Sequence, residues 1–109
     1  MNSMPLTRTF RETVMARAQS DPEFRSELIS EATSAFLDGD IATGKSLLRD
    51  YLNATEALPR IARLLQKDDK SLRRMVGRNG NPTLKNFIEL LHACQQEENI
   101  RFEVRVVHQ

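Results

Sequence analysis

The sequence is short of the residues that most readily assign a small protein to a class. It has no tryptophan, one tyrosine and one cysteine. The single thiol, Cys94, excludes an internal disulfide and any cysteine-based metal framework. On a helical face with Leu84, Phe87, Ile88 and Leu91, it reads as a small core residue. His92 and His108 have no ligand-spaced partner. The pairs Asp68-Asp69 and Glu97-Glu98 point in different directions along a helix, and residues 77–80 lack the lysine-hydroxyl ending of a phosphate-binding loop. No catalytic constellation, metal site or cofactor is therefore expected, and no enzyme. No apolar run is long enough to cross a membrane and no charged-then-apolar signal opens the chain, so a cytoplasmic location is expected. A large net charge is also missing. The value of +1 argues against purely electrostatic binding to nucleic acid.

That average hides a segregation. Residues 1–57 carry six basic and nine acidic side chains, a balance of −3, whereas 58–109 carry ten and six, a balance of +4. From Arg60 to Lys85, eight basic side chains stand against two acidic ones. Such a local excess is what a DNA-contacting face requires. At 109 residues the chain suffices for one domain, small enough that dimerisation would help it.

The first part of the chain is read as a helical extension, residues 1–39. Leu6, Phe10 and Val14 recur every four residues and predict a helix from an N-cap at Thr7 to Gln19, although 6–10 also alternates as a strand would. Asp21 followed by Pro22 is a strong helix start, and Phe24, Leu28, Ala32, Ala35 and Phe36 form its stripe up to a stop at Gly39. Asp40 caps the next helix, with Ile41, Leu47, Leu48, Tyr51 and Leu52 on its buried side.

The organising stretch runs from Ala57 to Leu91, within a core placed at residues 40–97. Ile61, Ala62 and Leu65 share one face of a short helix over about 58–66. Lys67-Asp68-Asp69 interrupts the pattern, and either aspartate can cap a second helix whose buried face is Leu72, Met75 and Val76. The small Ala62 allows the close backbone approach of two steeply crossed helices, the geometry of a helix-turn-helix. Gly77, Gly80 and Pro82 mark a loop, and Thr83 caps a last helix from Leu84 to about Gln96. With Ile61-Ala62, Leu65, the run from Lys70 to Met75 and Gly80-Asn81-Pro82-Thr83-Leu84, the chain resembles the lambda-repressor-like helix-turn-helix proteins. It resembles more closely the HigA-type antitoxins and small prophage regulators. At the turn, where that pattern has glycine and then an apolar residue, this chain has Gln66-Lys67. A side chain in a left-handed turn costs about 1 kcal/mol.

The fold class expected is all-α, a five-helix lambda-repressor-like domain with the helix-turn-helix at the third to fifth helices. A C-terminal β-strand over 100–107 is expected to follow. In it Ile100, Phe102, Val104 and Val106 alternate with charged residues, and such a strand would pair with a second subunit or another protein. Lys70, Ser71, Arg73 and Arg74 form the outward row that can read base edges and phosphates. Lys67, Arg78, Asn79, Asn81 and Lys85 extend it. The commoner meaning of a basic cluster is a solvated helix face; the crossing alanine and buried triplet favour DNA. A homodimer on a palindromic double-stranded DNA operator, read by the helix near Lys70 to Arg78, is expected, and the resemblance implies repression of its own operon and neutralisation of a small basic RelE-like toxin. The alternatives are a protein-interaction module without DNA binding and a stand-alone regulator without a toxin.

Overall fold

The computed structural model describes residues 4–109, without the side chains of residues 4–9 and 11. Six helices follow one another among the described residues: α1 (Met4–Ser20), α2 (Pro22–Leu37), α3 (Ile41–Thr55), α4 (Leu58–Leu64), α5 (Asp69–Val76) and α6 (Leu84–Glu98). The expected count of five is one short. Both segments before residue 39 are full helices, so the helix-turn-helix pair is the fourth and fifth. Thr7 lies inside α1 rather than capping it.

Most of the punctuation works as its chemistry dictates. Asp21 accepts hydrogen bonds from the amides of Glu23 and Phe24, Asp40 from Thr43, and Thr83 from Asn86. Each satisfies amides that a helix start leaves without an intrahelical partner. Gly39 takes φ +83° after α2, where its amide donates to the Phe36 carbonyl and that of Asp40 to Ala35. This left-handed cap turns the chain sharply, and α2 and α3 pack along each other as the broadest helix pair.

Leu28, Ile29 and Ala32 of α2 meet Leu48, Tyr51 and Leu52 of α3 in the core, joined by Ala18, Ile61, Leu72, Leu90 and Cys94 from the other helices. Gly44 gives Phe36 its place, since a Cβ there would lie 2.5 Å from the ring. The same ring packs edge-on against Phe87 of α6 with centroids 4.5 Å apart. Polar latches finish the assembly. Tyr51 donates its hydroxyl to Glu98 Oε2 at 2.6 Å, and Arg25 Nε donates to Glu98 Oε1 at 2.9 Å. Thus α2, α3 and the end of α6 share one carboxylate. Arg60 binds Glu97 beside it.

Four apolar positions expected on buried helix faces are not in the core. Phe10 is 70% exposed, Leu84 76% and Ile88 51%. Ile41, expected on a buried side, is also half out. The C-terminal strand is corrected too, since the described residues contain no strand. The chain turns at Asn99, whose φ is +56°, and Ile100 and Phe102 pack on the core. The Phe102 amide donates to Gln95 Oε1 at 2.9 Å. Two apolar residues and one side-chain acceptor thus anchor the start of the tail, and no neighbouring strand is needed to hold it. Val104 and Val106 beyond are over 80% exposed.

Candidate nucleic-acid interface

Helix α4 is started by Pro59 in its first turn and buries Leu58, Ile61 and Ala62. Ala62 is 1% exposed, as expected of the residue at a close crossing. The turn that follows keeps the paired hydrogen bonds of a left-handed helix cap. The Gln66 amide donates to Arg63 at 3.1 Å and the Lys67 amide to Ala62 at 2.9 Å, with Gln66 at φ +55°. The missing glycine therefore leaves the turn geometry intact and puts a side chain in a conformation that disfavours it.

Asp68 then opens α5 by accepting from the Ser71 amide at 2.6 Å. That hydrogen bond, more than the nearby Arg74, holds the Asp68 carboxyl below its ordinary range. Leu72 and Val76 are buried and Met75 half-buried, while Lys70, Arg73 and Arg74 are exposed. A two-sided helix results, apolar toward α3 and α4 and basic toward solvent.

The nine residues expected to contact DNA divide into two groups. Lys67, Ser71, Arg74, Asn79 and Asn81 line one open cleft of about 340 Å³, with Asn86 at its edge. It carries two cations, a hydroxyl and three amides, a set suited to phosphate and to base edges. Lys70, Arg73, Arg78 and Lys85 lie outside that cleft, all exposed. Arg73 donates to Asn53 of α3 at 3.4 Å. Lys85 pairs with Glu89 one turn on at 3.4 Å. Arg78 faces a second cleft, lined by Thr43, Lys45, Ser46 and Arg49.

Two residues of α3 that position this surface are absent from the expected set. Lys45 is 9% exposed, and its ammonium donates to the carbonyls of Gly80 (2.8 Å) and Arg78 (3.2 Å). Arg49 donates to the Val76 carbonyl at 2.6 Å. These cations take up carbonyls at and beyond the C-terminus of α5, where the helix dipole favours positive charge. Gly80 completes the arrangement, because a Cβ there would collide with the carbonyl oxygens of Arg74 and Met75. The visible signal was a lysine in helical register with Leu48 and Leu52, where an apolar residue would be ordinary.

No family model, curated protein or solved structure matches this chain. Among the described residues no group of three or more His, Cys, Asp or Glu side chains could hold a metal ion, and no helix is long and apolar enough to cross a membrane.

Proposed function

We propose that this chain is a sequence-specific DNA-binding transcriptional regulator. One observation carries the reading: two short helices joined by a tight left-handed turn bury Ala62, Leu72 and Val76 while leaving Lys70, Arg73 and Arg74 exposed on the second. A helix of this kind fits the major groove, where guanidinium groups donate to guanine edges. Lys67, Ser71, Asn79 and Asn81 then contact phosphate beside it, and Arg78 and Lys85 add positive charge at the flanks. The chain acts as a homodimer on a palindromic operator with half-sites about one helical turn apart.

A more specific assignment follows from the sequence motifs alone, Ile61-Ala62, Leu65, the run from Lys70 to Met75 and residues 80–84, which resemble those of HigA-type antitoxins. In it the regulator represses its own operon in the cytoplasm and neutralises a small basic RelE-like toxin. A neighbouring reading frame encoding such a protein would support this, and its absence would leave a stand-alone regulator.

The deciding experiment titrates purified protein against its own promoter DNA, beside the double variant Arg73→Ala/Arg74→Ala, at two salt concentrations. Tight binding that is lost in the variant is expected. A folded dimer that binds no promoter DNA would sink the regulator reading.

A further inference from the structure

A broad apolar concavity lies on the face formed by the α2–α3 turn, the loop after α5 and helix α6. It is a groove of about 600 Å³. Its open side presents Leu37 (73% exposed), Ile41 (52%), Leu84 (76%) and Ile88 (51%). Scattered apolar residues are ordinary on a surface, but a contiguous set around a concavity marks an interaction site. A groove is filled by a ridge of matching chemistry, and this molecule has one. Beyond the anchored Phe102, the tail carries Val104, Val106 and Val107, exposed by 85%, 82% and 71%.

The two surfaces are adjacent but do not close on each other within one chain. Val104 reaches the rim of the groove while the valines stay exposed. Charge adds to the match. Glu103 is paired with Arg101 of its own chain at 2.9 Å, which leaves Arg105 between Val104 and Val106, and Asp38 and Asp40, both exposed, flank Leu37 and Ile41.

From these features we infer that the groove receives the tail of a second copy of this chain, each tail lying in its partner's groove in a two-fold pair. A self-complementary exchange buries both apolar surfaces at once, as an isologous interface requires. It also brings Arg105 of each copy toward the acidic turn of the other. The contact is made by side chains and needs no sheet. The inference rests on the dimer of the reading above but not on its DNA, and its test contains none.

The wild-type chain, Val104→Asp/Val106→Asp and Leu84→Asp are compared by sedimentation and light scattering. All three positions are exposed, so the variants should keep the helical circular dichroism of the wild type. The wild type is expected to be dimeric, and either variant to weaken dimerisation by roughly tenfold or more. A chain carrying Val106→Cys is then mixed with a tagged chain carrying Leu84→Cys and oxidised. The buried Cys94 leaves the introduced thiols to react. A covalent heterodimer should form much faster than with a control thiol at Glu31, on the exposed side of α2. A monomeric wild type would overturn the proposal, as would dimers indifferent to both variants or cross-linking no faster than the control. A monomeric wild type would remove the homodimer of the reading above as well, and would leave its DNA binding to be decided by the promoter titration.

Discussion

Gln66 shows how much one residue can carry. Its left-handed backbone was legible from its place in the turn, and so was the absence of the glycine that ordinarily fills it. Gln66→Gly should stabilise the chain by up to about 1 kcal/mol, read as a higher denaturation midpoint with an unchanged urea slope. Other single residues were less legible. Cys94 was expected in the core and is there, yet nothing local marked Tyr51 as the donor to Glu98, because the two are 47 positions apart. Burial, with Glu98 and Glu97 adding to it, pushes the Cys94 thiol from 9.0 up to about 12. Burial and the bond to Glu98 raise Tyr51 well above its ordinary value. Both groups are held protonated in the folded state. Their contribution is complete below the unfolded pKa and is lost as rising pH ionises the unfolded chain first. Stability should therefore fall from about pH 9 upward, by about 1.4 kcal/mol per unit for each group fully engaged. Urea titrations at pH 8, 9.5 and 11 should show a shallower decline for Cys94→Ala. Equal slopes would remove the thiol from the account.

The order of the helices was readable because capping chemistry is local. Asp21, Asp40, Asp68 and Thr83 each accept from amides two or three positions on, so a short window of sequence contains the whole interaction. The tail failed for the opposite reason. Alternation specifies which residues can share a face, but a strand also needs a partner backbone, and in this chain Gln95 supplies an acceptor instead. Leu84 and Ile88 were misplaced similarly, since periodicity finds an apolar face without saying what covers it. The loop between α5 and α6 depends on a helix far away in sequence. Lys45→Met keeps the length of the side chain and removes the donor from the Arg78 and Gly80 carbonyls. It should cost about 1–3 kcal/mol and speed amide exchange over residues 77–81. Unchanged exchange there would mean that Gly80 and its packing hold the loop unaided.

For the molecule as a whole, the charge asymmetry between the two halves was plain in the sequence, but its arrangement was not. The fold spreads the expected DNA contacts over one cleft beside α5 and a set of exposed flanking cations, with Arg78 turned toward α3. If phosphates are met by several of these side chains, affinity must fall steeply with salt, with a logarithmic slope of about 0.9 per phosphate neutralised. Arg78→Gln should lower that slope by about one while sparing sequence preference. Arg73→Ala/Arg74→Ala should alter preference as well. Competition titrations against scrambled promoter DNA would tell the two effects apart.

The carboxylate shared by Arg25, Tyr51 and α6 also sets an order in time. During synthesis Arg25 and Tyr51 are made well before Glu98, and at about 5–20 residues per second the 47 positions from Tyr51 to Glu98 take roughly two to nine seconds. For that interval α2 and α3 can already lie together while the tyrosine hydroxyl still faces water. The latch that joins α2, α3 and α6 closes only when the final turn of α6 arrives.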